Sequence, residues 1–226
     1  MSELKERVEA VRAAIRAAAQ RCGRDPGEIR LVAVSKTRSA DEVREAFDAG
    51  VTEFGENYAQ ELAVKRAALA DVPGIRWHMI GHMQRNKIKL LVPGIYVLQT
   101  VDSLRLVEAL RRRLAQTDAV LDVLVQVDVA GEEQKSGAAT SDVPALIRAV
   151  RESGRLRLRG LMSIPPWAAD AEAARPHLRA LRDLARSLDL GPDERDLSMG
   201  MSDTYEAAVE EGGTIVRVGT AIFGAR

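Results

Sequence analysis

The chain has 226 residues, of which 46% are apolar and 29% charged, a composition typical of one ordered domain. Basic and acidic residues each total 33, so the formal net charge is zero, which argues against a nucleic-acid or membrane-surface partner. The one cysteine, Cys22, excludes an internal disulfide framework and fits a reducing compartment. The amino-terminal segment is too charged for a secretory signal, and no apolar run is long enough to cross a bilayer. We therefore expect a cytoplasmic protein.

The chain begins with a predicted amphipathic helix over residues 3 to 22, capped by Ser2. Its apolar residues recur at spacings of three and four, at Leu4, Val8, Val11 and Ile15. From residue 30 onward, short apolar runs alternate with segments of helical period. The runs predict eight strands, at residues 31–36, 51–57, 75–81, 95–101, 121–129, 156–164, 195–200 and 214–219.

The alternation of strands and helices predicts an α/β fold. Strands separated by single helices run parallel through right-handed crossovers, and eight such units in this length have the size of a (β/α)8 TIM barrel. We predict one such domain over residues 1–226, with the amino-terminal helix as an addition, because no linker rich in Pro, Gly or Ser divides the chain. A doubly wound open sheet is the alternative, but no GxGxxG motif follows the first strand.

A lysine, Lys36, lies at the end of the first apolar run, LVAVSK. In one interpretation it marks the point where the strand leaves the core, and its ammonium group extends into water. In the other, the amine is held at the mouth of the barrel, where it forms a Schiff base with a carbonyl compound. The active sites of such barrels lie at the carboxyl ends of the strands, so the residues at the other strand ends decide between the two.

The last two predicted strands end in small and polar residues that are suited to binding an anion. Ser198, Gly200 and Ser202 lie directly before a predicted helix that starts near Asp203, and a Gly-rich turn with a helix cap is the alternative interpretation. The next strand ends in Arg217, Gly219 and Thr220. Barrels commonly hold phosphate in the loops after strands seven and eight. A reactive lysine, a phosphate site and an arginine at one rim are what pyridoxal 5′-phosphate would use through its aldehyde, phosphate and ring nitrogen.

Ordered motifs along nearly the whole chain resemble the pyridoxal phosphate homeostasis protein family, whose fold is similar to the barrel domain of alanine racemase. The motifs are AVSKT, GENYAQE, WHMIGHMQRNK, EEQKSG, GLMSIPP, LSMGMSDTYEAA and VRVGTAIFGAR. The resemblance implies that Lys36 carries the cofactor as a Schiff base and that Asn57 lies beside it. It also implies that the phosphate is held by Ser198, Ser202, Gly219 and Thr220. Arg217 resembles the arginine that faces the pyridine nitrogen in alanine racemase and leaves that nitrogen unprotonated, which weakens the ring as an electron sink.

The absence of a second acid/base group favours a carrier over an enzyme. A racemase needs two such groups, and alanine racemase takes a tyrosine from a carboxyl-terminal domain of its partner subunit, whereas this sequence ends soon after strand eight. Tyr58 and Tyr205 lie near the predicted rim, but Tyr58 is equally explained as a packing residue of its helix, and Tyr205 lies where the first turn of a helix would begin. We therefore predict a binding protein for intracellular pyridoxal phosphate and amino-acid balance, with apo-enzymes as recipients and a monomeric state. A small racemase and a cofactor-free Schiff-base aldolase are the alternatives.

The remaining polar residues give weaker signals. Lys135, in EEQKSG, follows strand five and is a candidate for receiving cofactor during transfer, although a lysine in a polar loop is exposed by default. His78, His82 and His177 share no short spacing with carboxylates, so the sequence predicts no metal site.

Overall fold

The predicted strands form a closed parallel barrel in the computed structural model, which describes residues 2–131, 136–166 and 170–225. The strands are β1 (Arg30–Val34), β2 (Glu53–Glu56), β3 (Arg76–Met79), β4 (Val97–Val101), β5 (Leu121–Asp128), β6 (Ala138–Ala139), β7 (Leu156–Met162), β8 (Asp196–Ser198) and β9 (Ile215–Val218). Around the barrel the order is β1-β2-β3-β4-β5-β7-β8-β9, and β9 pairs with β1 to close it. The two-residue β6 pairs with the end of β5, outside the ring. The prediction of a (β/α)8 barrel is confirmed.

Helices surround the barrel. They are α1 (Glu3–Arg21), α2 (Ala40–Asp48), α3 (Ala59–Ala68), α4 (Ile88–Leu91), α5 (Leu104–Leu114), α6 (Val143–Glu152), α7 (Ala171–Ser187), α8 (Tyr205–Glu210) and α9 (Thr220–Phe223). Their apolar faces pack on the outer face of the strands, as a crossover fold requires.

The amino-terminal helix α1 forms as predicted. The Ser2 side chain accepts a hydrogen bond from the Lys5 backbone and satisfies a donor of the first turn. The four predicted apolar residues are buried against the rest of the core. Because α1 packs on α2, α8 and α9, it covers the junction where the first and last strands meet.

The end of the first strand differs from the prediction. The apolar run suggested a strand through Lys36, but β1 ends at Val34, and a turn follows in which the Arg38 amide donates to the Ser35 carbonyl. Thr37 in this turn has a φ of 64°, a region that β-branched residues rarely adopt. Lys36 therefore extends from a tight turn and not from the strand itself.

Membrane-spanning helices and metal-binding groups were searched for only among the residues that the structure describes. None of the described helices combines the length and apolarity that crossing a bilayer needs. In the same part of the chain, no three His, Cys, Asp or Glu side chains are grouped for holding a metal ion.

Candidate functional site

A cavity of about 470 Å³ opens at the carboxyl ends of the barrel strands. Six of the seven predicted site residues line it: Lys36, Asn57, Ser202, Arg217, Gly219 and Thr220. The seventh, Ser198, is fully buried in the barrel interior, where it contacts Arg217. The other lining residues are Val34, Ile80, Gly81, His82, Gln126, Ser136, Ile164, Met201 and Asp203. Apolar side chains with a few convergent polar groups are typical of a small-molecule site.

The β2 side of the cavity depends on a close approach of two backbone segments. Asn57 follows β2 directly, and Gly81 lies in the segment after β3. A Cβ atom added to Gly81 would lie 2.1 Å from the carbonyl oxygen of Asn57, so only glycine fits there. The Gly81 carbonyl accepts a hydrogen bond of 2.9 Å from Thr100. This packing fixes Asn57 at the edge of the cavity.

Ser202 is arranged to donate a hydrogen bond into the cavity. Its Oγ accepts from the backbone amides of Gly219, at 3.2 Å, and Ala221, at 3.4 Å. The hydroxyl proton is then free for another acceptor. Gly200, which precedes it with a φ of 87°, packs against α8, where a Cβ would lie 2.5 Å from the Ala208 side chain. A hydroxyl and backbone amides from two loops are thus joined beside α9, at the strand ends where barrels bind phosphate.

Arg217 on β9 is a buried cation that none of the described carboxylates pairs with. Its Nη1 donates to Ser198 Oγ at 2.6 Å, and its Nη2 donates to the Ser163 carbonyl at 2.8 Å. Burial lowers its pKa to about 10, so the group stays protonated at neutral pH. A protonated guanidinium has donors only, and an atom facing it must be an acceptor.

A chain of polar groups continues from Arg217 into the barrel. Ser198 donates to Gln99 Oε1 at 2.6 Å, and Gln99 Nε2 lies 2.9 Å from His78 Nδ1. His78 Nε2 lies 3.0 Å from Glu53 Oε2. Burial lowers the pKa of His78, which is therefore neutral, with Nδ1 the acceptor for Gln99. The hydrogen bonds from Arg217 to His78 all run in one direction, with each donor on the side of the guanidinium.

The sequence did not single out Gln126 as a cavity residue. It is the one amide side chain of strand β5, and its Nε2 donates to the Ser136 carbonyl, while its buried Oε1 has no partner among the described residues. A lone amide in an apolar strand was the signal that could have identified it. His82, to which no role was assigned, lines the cavity and lies 3.3 Å from Asp102.

The two tyrosines considered as acid/base groups lie away from the cavity wall. Tyr58 is 59% exposed and is not among the lining residues. Tyr205, whose pKa is raised by burial, is the first residue of α8 and is not among the lining residues either. No tyrosine is found among the described residues that line the cavity. Lys135 falls outside the described residues.

The fold and the cavity define a barrel of the alanine racemase class, and comparisons with known proteins agree. Residues 7–226 match the family model described as alanine racemase, N-terminal domain. Alanine racemase from E. faecalis has this fold with a TM-score of 0.68 at 18% identity, over 95% of this chain and 58% of that chain.

Two more similar proteins narrow the assignment. A pyridoxal phosphate homeostasis protein of Pseudomonas aeruginosa is 48% identical over 226 residues, which are 100% of this chain and 97% of the relative. The structure of PipY from Synechococcus elongatus with PLP bound is 33% identical, with a TM-score of 0.86 over 98% of this chain and 100% of that chain. The chain belongs to the pyridoxal phosphate homeostasis protein family.

Proposed function

We propose that this protein binds pyridoxal 5′-phosphate in the cavity at the strand ends and holds it reversibly on Lys36. The observation that carries the proposal is the convergence on one cavity of the Lys36 amine, the Ser202 hydroxyl and a buried arginine, Arg217, that pairs with none of the described carboxylates. When bound, the cofactor supplies an aldehyde that condenses with a lysine amine to a Schiff base and one water, and hydrolysis reverses this. The PLP-bound PipY structure and the names of the relatives support the assignment.

The residues present fit each part of the cofactor. The Ser202 hydroxyl, which the Gly219 and Ala221 amides hold at the cavity, offers a donor to a phosphate beside Gly219 and Thr220. Arg217 offers an N–H to the ring nitrogen, which then accepts and stays unprotonated. Asn57 and Gln126, whose Oε1 has no partner in the part of the chain that the structure describes, provide polar contacts in the cavity. Ser198 acts indirectly, because it holds the guanidinium of Arg217 and does not itself line the cavity.

We propose that the protein is a carrier that supplies the cofactor to apo-enzymes, rather than a racemase. An unprotonated ring stabilises a carbanion weakly, and the described cavity wall has no tyrosine to act as a second acid/base group. Through this reversible storage, the protein contributes to vitamin B6 homeostasis and to the balance of amino acids and keto acids.

The first test uses absorption spectroscopy of the protein after addition of pyridoxal phosphate and removal of free cofactor. Native protein and the control variant Lys89→Ala, which changes an exposed lysine on α4, should retain the band of lysine-bound cofactor. Lys36→Ala should lose it. Borohydride reduction and peptide mapping should place the adduct on Lys36. An adduct on another residue, or no retained cofactor, would contradict the proposal.

The carrier function is tested with the loaded protein. Incubation with an apo-enzyme that needs pyridoxal phosphate should restore that enzyme's activity, and loaded Lys89→Ala should do the same. Incubation with L-alanine should produce no more D-alanine than free cofactor does. Clear racemisation by the native protein would favour the racemase alternative.

A further inference from the structure

A buried lysine on α3, Lys65, lies just behind the turn that carries Lys36. It is 5% exposed and does not line the cavity. Its Nζ lies 2.5 Å from the Ser35 carbonyl, 2.6 Å from Glu56 Oε1 and 2.7 Å from Glu61 Oε1. An ammonium group has three protons, so these three acceptors use its full donor capacity. Lys65 is therefore fixed in place and is not itself available to a ligand.

The same cluster holds the chain on both sides of Lys36. On the amino-terminal side, the Ser35 hydroxyl donates to Glu56 Oε1 at 2.7 Å, and the Ser35 carbonyl accepts from Lys65. On the carboxyl-terminal side, the Thr37 amide donates to Glu61 Oε1 at 2.5 Å. Lys36 is the one residue between these two anchored positions, and its side chain extends into the cavity.

The turn needs such anchoring because its conformation is unfavourable. Thr37 is β-branched and has a φ of 64°, a region that Gly and Asn adopt much more readily. A strained conformation of this kind persists only where surrounding contacts enforce it. Here the enforcing contacts are the hydrogen bonds from the Lys65 cluster to Ser35 and Thr37.

The charges make Lys65 the centre of the cluster. Glu56 is fully buried, and the burial raises its pKa, while Lys65 and Ser35 oppose that effect. Lys65 contacts both Glu56 and Glu61 with one ammonium group. Without it, two carboxylates face each other in a poorly solvated place, and the anchors at Ser35 and Thr37 lose their common partner.

We propose that Lys65 is a positioning residue that holds the strained turn of residues 35–38 and thereby directs the Lys36 amine toward a carbonyl ligand in the cavity. This inference rests on the proposed function of Lys36. It assigns to Lys65 an effect on capture of the aldehyde group and none on binding of the phosphate or the ring, which other strand ends hold. A small displacement of a reacting group costs up to about a hundredfold in rate.

The experiment compares two ligands that differ at one group. Pyridoxal phosphate has the aldehyde, and pyridoxine phosphate has an alcohol in its place and binds without a covalent bond. For Lys65→Met, we expect covalent capture of pyridoxal phosphate to slow by about tenfold or more, while the Kd for pyridoxine phosphate changes by less than about twofold. Lys89→Met, an exposed lysine on another helix, is the matched control and should behave as native for both ligands.

Two further variants keep the test decisive if Lys65→Met does not fold. Glu61→Ala removes the Thr37 anchor at a partly exposed position and should show the same difference between the ligands. Thr37→Gly added to Glu61→Ala should restore part of the capture rate, because glycine adopts the positive φ without strain.

The outcomes separate this inference from the function on which it rests. Equal loss of both ligands would show that the cluster serves only general stability, and native capture rates in Glu61→Ala and Lys65→Met would also overturn the inference. An adduct mapped to Lys65 would overturn it as well. If the native protein and Lys36→Ala captured pyridoxal phosphate equally, the proposed function itself would fail, independently of Lys65.

Discussion

Arg217 donates a hydrogen bond to Ser198 across 2.6 Å in the barrel interior, and this contact links the cavity to the polar groups beneath it. Ser198 in turn donates to Gln99, so its single hydroxyl both accepts and donates. The guanidinium has no described carboxylate to hold it in place. Its direction toward the cavity therefore depends on Ser198 and on the Ser163 carbonyl.

We predict that Ser198→Ala changes the environment of the bound ring without removing any cavity residue. Loss of the hydroxyl leaves a buried donor and acceptor unpaired, which should lower the free energy of unfolding by about 1 to 3 kcal/mol. The absorption band of the bound cofactor should also shift, because Arg217 would no longer be held against the ring nitrogen. Chemical denaturation and absorption spectra measure the two effects.

The matched control for this prediction is Ser153→Ala. Ser153 Oγ donates to the Val150 carbonyl at the end of α6, away from the cavity, so its loss should affect stability alone. A Ser198→Ala protein with the native absorption band would show that Ser198 does not orient Arg217.

The barrel could be predicted from the sequence because the spacing of apolar residues distinguishes its strands from its helices. Seven of the eight apolar runs contain a whole barrel strand, and the first overlaps β1, which begins one residue earlier, at Arg30. Strand ends were less predictable. The strand at 31–36 ends at Val34 because Ser35 bonds to Glu56 and Lys65, which lie 21 and 30 residues further along the chain. The pattern of neighbouring residues in the sequence does not indicate contacts between residues so far apart in the chain.

The residues of the candidate site could likewise be predicted only in part. Residue types at strand ends identified Lys36, Ser202 and Arg217 as cavity residues, since all parallel strands end on one side of the barrel. Ser198 was grouped with them, but β8 places its side chain inside the barrel. Lys65 was not found at all, because in the sequence it is an ordinary lysine of an amphipathic helix. Its burial depends on two glutamates brought together by the fold.

Ser202 offers a test that distinguishes the phosphate from the rest of the cofactor. Ser202→Ala removes a hydroxyl donor and leaves the Gly219 and Ala221 amides without their acceptor. We expect affinity for pyridoxal phosphate to fall by about tenfold, equivalent to about 1.4 kcal/mol. Affinity for pyridoxal, which lacks the phosphate, should stay at the native value.

The control for Ser202 is Ser187→Ala, an exposed serine whose hydroxyl donates to the Leu184 carbonyl on α7. It should bind both compounds as the native protein does. Equal weakening of pyridoxal and pyridoxal phosphate by Ser202→Ala would place the phosphate elsewhere.

Gly81→Ala should displace the segment that carries Asn57. The added methyl would lie 2.1 Å from the Asn57 carbonyl oxygen, a contact that backbone atoms relieve only by moving apart. We expect a loss of about 1 to 3 kcal/mol in the free energy of unfolding and weaker cofactor binding. Gly27→Ala is the control, since its methyl would meet only the Asp25 side chain, at 3.3 Å. Native stability and binding in Gly81→Ala would show that the two segments separate without cost.

His78 gives the protein a dependence of stability on pH that can be assigned to one residue. Burial lowers the pKa of His78 below its usual value of 6.5, so the folded protein keeps the imidazole neutral at pH values where the unfolded chain binds a proton. Its contribution to stability is fully present above about pH 6.5 and is lost as the pH falls toward the folded pKa. The slope is at most about 1.4 kcal/mol per pH unit.

The neighbouring carboxylate acts in a lower pH range. Burial raises the pKa of Glu53, but His78, Arg30 and Arg76 together outweigh this and leave it below the usual 4.5. Between pH 7 and about 5.5 the unfolding free energy should therefore depend on His78 and not on Glu53.

Denaturant unfolding between pH 7 and about 5.5 should show a smaller pH slope for His78→Gln than for the native protein, even though the variant is less stable at pH 7. His82→Gln changes an exposed histidine and should keep the native slope. Equal slopes in all three proteins would mean that His78 takes up a proton in the folded state, and that the polar chain from Arg217 ends in a charged imidazole.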